Sequence, residues 1–162
     1  MPATTDTATI LLHPGQVHRA HYTVTAAHLV PAMVRDVGER TELQHGEPVL
    51  ATGMLVVWLE DACWQLLRDA RAVPAGHTRV GVTLECFTHR SPARLGDQVE
   101  VEAQCVRHDP RRGAVEFRVS AVDLDTGCRL VDPVRHELRI VEQARWRARF
   151  GIDDGRIRAG LG

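Results

Sequence analysis

The sequence predicts an α+β fold in which an antiparallel sheet wraps around one long central helix, and three observations lead there. Residues 53–71 form an apolar run rich in Leu, Val and Trp, bracketed by Pro48 and Pro74. Beyond Pro74-Ala75-Gly76 the hydrophobic period switches from that of a helix to two, the mark of half-buried strands. Short turn sequences separate those strands, and short turns join antiparallel neighbours.

The elements follow in order. Residues 1–13 read as a disordered arm, and a first strand is expected over 16–25, where Val17, Tyr22 and Val24 stand among polar residues. Residues 28–48 are irregular. The helix is expected from Gly53 to Arg71, with Thr52 as N-cap because its hydroxyl can accept from a free first-turn amide. Val99, Val101, Ala103 and Cys105 then alternate with Glu100, Glu102 and Gln104, and Val115, Phe117, Val119 and Ala121 with Glu116, Arg118 and Ser120. Asp109-Pro110-Arg111-Arg112-Gly113 and Asp123-Leu124-Asp125-Thr126-Gly127 read as hairpin turns, and a last strand is expected over 129–141. The arginine-rich end from Glu142 reads as a short helix followed by a frayed tail, giving an arm (1–13), one domain (14–150) and a tail (151–162).

One strand, one long helix and four antiparallel strands make up the hotdog architecture. Its sheet leaves an edge strand, and pairing of edges into a continuous sheet predicts a homodimer, with association of two dimers left open.

Composition excludes several function classes. At 162 residues the chain is long enough for one domain with a substantial core. A net charge of −1 leaves no basic face for a phosphate backbone, and three Trp, one Tyr and three Phe provide few stacking platforms, so nucleic-acid binding is not expected. All 20 basic residues are arginine, a compositional bias that no single site would impose. No basic segment followed by an apolar stretch opens the chain, and no run reaches the roughly 18 apolar residues of a membrane span, so a cytoplasmic protein without membrane contact is expected. Cys63, Cys86, Cys105 and Cys128 are widely spaced and are expected to be reduced, mostly buried thiols. His18 and His21 lie three apart in a strand-like segment and are expected at the surface rather than on a metal; neither metal nor cofactor is expected.

Glu60 carries the chemical signal. It lies in the middle of the apolar run, on a stripe with Gly53, Val56, Cys63, Trp64 and Leu67, whereas Asp61 begins a polar stripe with Gln65 and Arg68. A carboxylate in apolar surroundings is costly unless paired or protonated, so either a structural role, pairing with an arginine or capping a buried polar group, or a catalytic role is expected.

Pro48-Val49-Leu50-Ala51-Thr52-Gly53, then Glu60-Asp61-Ala62, Gly81 and His89-Arg90-Ser91-Pro92-Ala93-Arg94-Leu95-Gly96 resemble the fluoroacetyl-CoA thioesterase family of hotdog proteins. The resemblance runs more weakly from Gly15 to about Phe150 and includes Val24-Thr25, Gly96-Asp97-Gln98-Val99 and His136-Glu137. It implies a Thr, Glu and His triad at a thioester carbonyl, mapping onto Thr52, Glu60 and His89, with Gly81 at the glycine whose backbone approaches the acyl group. A carboxylate can attack the thioester or activate water, an imidazole can move protons near neutral pH, and a hydroxyl can orient either. A first-turn amide near Gly53 is placed to hold the oxyanion.

Spacing constrains this site. Eight residues of helix rise roughly 12 Å, so Thr52 and Glu60 cannot touch on one regular helix. Either the Thr52-Gly53 segment is not yet helical or the two residues come from different protomers; related hotdog thioesterases build sites across the dimer, which favours the second. His136 shares the inward face of its strand with Val134, Leu138 and Ile140 and is expected in the core.

Three departures bear on substrate. The family's gating aromatic has no counterpart in Leu43-Gln44-His45-Gly46-Glu47-Pro48; Leu138 replaces the arginine after the His-Glu pair, while Arg139 points to the other face; and Gly81 stands eight residues before His89 rather than seven, which implies a bulge or a shifted register. The expected function is hydrolysis of a small or medium acyl thioester of CoA or an acyl-carrier protein. A hotdog hydratase or dehydratase would need an Asp/His pair in a different motif, and a non-catalytic acyl-CoA-binding protein would bind without releasing thiol.

Overall fold

The computed structural model describes residues 12–33 and 46–152. Most of the expected arm, Leu43–His45 of the segment where the family's gating aromatic would stand, and the tail beyond residue 152 lie outside the described residues. Strand β1 (Val17–Thr23) is followed by a short turn and helix α1 (Val30–Met33), the long helix α2 (Thr52–Asp69), strands β2 (His77–Leu84), β3 (Gln98–Asp109), β4 (Ala114–Asp123) and β5 (Arg129–Glu142), and helix α3 (Gln143–Phe150). The five strands form one antiparallel sheet in the order β1-β3-β4-β5-β2, so β1 and β2 are its edges.

Alternation decides which side of the sheet meets the helix. Val99, Val101, Ala103 and Cys105 of β3 and Val115, Phe117, Val119 and Ala121 of β4 are buried, while the acids and arginines between them face out. Against them α2 presents Leu55, Trp58, Leu59, Ala62, Cys63, Leu66 and Leu67, recurring every three or four residues. Each fully buried Leu or Phe contributes about 1.5–3 kcal/mol relative to exposure, so this one interface carries most of the apolar stabilisation. Leu12 is 3% exposed and joins the same core. His136 is buried on the inward face of β5, as its alternation predicts, and its Nδ1 lies 2.6 Å from the carbonyl oxygen of Thr83.

Two details of α2 differ from the sequence expectation. The helix starts at Thr52, with Ala51 in the N-cap position and no side-chain cap, because the Thr52 hydroxyl is bonded elsewhere. The buried stripe is also rotated from the one expected: Gly53 is exposed, and Val56 and Glu60 are only half-buried. Glu60 therefore lies on the flank of α2 that faces β2, not in the core. At the other end, Arg71 takes a left-handed conformation (φ 50°), which lets its amide reach the Arg68 carbonyl and that of Ala72 reach Leu67.

The 123–127 turn satisfies a buried acid internally. Asp123, 1% exposed, accepts from the Asp125 and Thr126 amides and from the Thr126 hydroxyl at 2.7 Å. All four cysteines are free thiols, but only Cys63 and Cys105, on the inward faces of α2 and β3, are buried; Cys86 and Cys128 are exposed because they lie in connections outside the strands, and among the described residues no helix is long and apolar enough to cross a membrane.

Candidate active site

Thr52 and His89 meet within one chain. Backbone bonds tie the segment before α2 to the loop after β2: the Leu50 amide donates to the Ala93 carbonyl at 2.8 Å, and Val49 bridges to Arg94. The Arg90 amide donates to the Leu130 carbonyl, which fixes the His89 loop against the start of β5. These ties bring Thr52 Oγ1 to 3.0 Å from His89 Nδ1, beside an open cavity of about 300 Å³. His89 Nε2 is buried with no partner among the described residues. Burial lowers the His89 pKa, and a backbone bond at Ser91 opposes that shift only in part. The ring is therefore held towards its neutral form, with one nitrogen tied to a hydroxyl and the other open to a proton.

The start of α2 adds donors to the same place. Helix geometry leaves the amides of Thr52, Gly53 and Met54 without intrahelical acceptors, and the helix dipole makes this end attractive to negative charge.

Glu60 stands elsewhere. Since α2 is a regular helix from Thr52 onward, the two residues are separated by a rise of roughly 12 Å and do not touch. Thr52-Gly53 is helical, so the first way of bringing Thr52 and Glu60 together within one chain does not hold. Glu60 instead lies over β2 at Gly81, where an added Cβ would sit 3.1 Å from Oε2 and 3.4 Å from Oε1. The register of β2 with β5 shifts between Gly81 and Thr83, which supplies the extra residue that the spacing to His89 required.

No donor or cation among the described residues bonds the Glu60 carboxylate, so the structural-arginine alternative finds no partner. It borders a cavity of about 280 Å³ lined by Val57, Glu60, Asp61 and Trp64. Asp61, by contrast, is fully engaged: Tyr22 Oη and Gln65 Nε2 each donate to Oδ2 at 2.7 Å. The Tyr22 ring stacks on Trp58 at 4.8 Å, and burial together with the Asp61 bond pushes its phenol pKa up. Cys63, behind Glu60, is no rival nucleophile: burial first, then the Glu60 charge, pushes its thiol well above the usual range.

The histidine pair noted at the outset is held by side chains rather than simply solvated. His18 Nε2 lies 3.0 Å from Gln65 Oε1, and His21 Nε2 3.1 Å from Glu100 Oε2. Sequence reasoning placed Trp64 on the Glu60 stripe but did not anticipate the bond of Tyr22 to Asp61, or Arg79, whose guanidinium stacks on the Trp64 ring. The available signal was spacing: Trp64 is four residues after Glu60 on a helix, and Arg79 two before Gly81 on a strand.

A sheet curled around one long helix is the hotdog fold, and here that helix carries a carboxylate with no partner among the described residues and a Thr-His pair at its start. The family model described as fluoroacetyl-CoA-specific thioesterase, FlK, matches residues 31–144, and the chain belongs to that family. Solved structures agree in fold. An FlK threonine-to-serine mutant in complex with acetyl-CoA is 22% identical, with 86% of this chain and 96% of that one covered and a TM-score of 0.73. A Thermus thermophilus hypothetical protein, a thioesterase superfamily member, is 23% identical over 91% of this chain and 96% of its own, with a TM-score of 0.70. A hot-dog-like protein from Thermanaerovibrio acidaminovorans is 19% identical over 85% and 89%, with a TM-score of 0.64. No curated protein matches in sequence.

Proposed function

We propose that the protein is a homodimeric hydrolase of small or medium acyl thioesters of CoA or an acyl-carrier protein, with each site shared between subunits. Thr52, His89 and the first-turn amides of one subunit would face Glu60 and Gly81 of the other. The observation that carries this reading is the division within one chain: Thr52 is bonded to His89, while Glu60 has no partner among the described residues and stands about 12 Å further along the same helix. Edge strand β2 offers the surface, with Val82 49% exposed on it and Val57 53% exposed on the adjoining face of α2.

The chemistry follows from the groups present. A Glu60 oxygen attacks the thioester carbon, and the amides near Gly53 hold the oxyanion. The oxyanion then collapses, the C–S bond breaks and the sulfur leaves as thiolate. Water then opens the acyl-glutamyl anhydride; His89 Nε2 accepts its proton and passes it to the thiolate, while Thr52 Oγ1 accepts from Nδ1–H. Alternatively Glu60 takes a proton from water, which attacks directly; both routes give free acid and thiol.

Thiol release from a panel of acyl-CoA thioesters tests the reading. Glu60→Gln is expected to lower kcat about 10²- to 10⁴-fold with the fold intact. Unchanged hydrolysis across the panel would rule out this mechanism.

A further inference from the structure

We infer that the acyl group taken by this site ends in a carboxylate, recognised by Arg79; the inference rests on the thioesterase reading above. On α2, Glu60 and Trp64 are one turn apart, a rise of roughly 6 Å. On β2, Gly81 and Arg79 are two residues apart on the same face, roughly 6.7 Å. Both pairs meet: Glu60 lies over Gly81, and the Arg79 guanidinium carbon sits 4.6 Å from the centroid of the Trp64 ring. Helix and strand thus form two successive rungs, the first bearing the reacting carboxylate and the second a cation stacked on an aromatic.

The second rung has unmet donors. Arg79 is half-buried, and among the described residues no carboxylate lies within ion-pairing distance of it. Trp64 Nε1 is buried without an acceptor among the described residues. Asp61, the other acid on the cavity, is occupied by Tyr22 and Gln65 and does not neutralise Arg79. A partly desolvated guanidinium and an idle indole N–H are costly as they stand, and a carboxylate satisfies a guanidinium's parallel donors in a way that a methyl end cannot. One rung separates attack from recognition, which fits a linear dicarboxylic acid mono-thioester of about four or five carbons.

The test compares glutaryl-CoA with pentanoyl-CoA in thiol release, and glutarate with pentanoate in calorimetric binding, for the wild-type protein and Arg79→Gln. The wild type is expected to favour glutaryl-CoA in kcat/KM by about tenfold or more, and R79Q to raise KM for glutaryl-CoA by a similar factor while leaving pentanoyl-CoA unchanged. Glutarate binding is expected to weaken in R79Q, with pentanoate unaffected. Equal treatment of the two chain ends, or an equal loss for both in R79Q, overturns the inference while hydrolysis of neutral thioesters leaves the thioesterase reading standing. Binding of glutarate that depends on Arg79, with no thioester hydrolysed, supports the carboxylate site and overturns the thioesterase reading instead.

Discussion

Glu60 rests on Gly81 so closely that a single added carbon would lie 3.1 Å from its Oε2 and 3.4 Å from its Oε1. The helix supplies the carboxylate and the strand supplies the space for it. Gly81→Ala should therefore displace Glu60 by a few tenths of an ångström. About a tenfold fall in kcat is expected, with a thermal midpoint close to that of the wild type. Full activity in the alanine variant would show that the fit is not part of the chemistry.

His89 sets an acid limit on activity. Its pKa is lowered by burial, so the neutral ring persists below the ordinary histidine value of about 6.5. Activity that needs a free Nε2 is present above the lowered pKa and disappears as pH falls through it. Folding follows the same direction: stability is complete above the unfolded-state pKa and declines as pH falls towards the folded one. A kcat/KM profile should show its acid limb below about 6.5, and the limb should vanish in His89→Asn along with about 10²-fold or more of the rate.

The Thr52 hydroxyl is expected to act by orientation. Thr52→Ser keeps the oxygen 3.0 Å from Nδ1 within reach and should retain most activity, whereas Thr52→Ala loses the bond, worth about 1 kcal/mol, and should slow turnover about fivefold or more. Equal rates for the two variants would remove the hydroxyl from the account.

A stability prediction concerns the end of α2. Arg71 occupies a left-handed position (φ 50°) that costs an ordinary residue about 1 kcal/mol and glycine little. Arg71→Gly should raise unfolding free energy by roughly 0.5–1 kcal/mol in urea titration, without changing activity.

The long helix and the strand alternation were legible because each obeys a local period that burial on one side imposes. Thr52 shows the limit of such rules: capping preference describes what a threonine does next to free amides, but a histidine 37 residues away offered its hydroxyl a different partner. Glu60 was legible as unusual but not as placed, since the buried stripe is set by which strands cover the helix, and β2 leaves one flank open. The Tyr22-Asp61-Gln65 cluster was out of reach for a similar reason. It joins β1 to α2 across 39 residues, and no spacing within either element announces it.

Subunit mixing tests most directly whether each site needs Glu60 from one subunit and Thr52 with His89 from the other. His89→Asn and Glu60→Gln proteins, each with low activity alone, are unfolded together, refolded and assayed for thiol release. Random pairing gives heterodimers with one site carrying both lesions and one carrying neither, so recovery to about a quarter of wild-type activity is predicted. If the mixture stays at the level of the separate variants while wild-type protein taken through the same refolding is active, each site lies within one chain and the shared-site account is wrong.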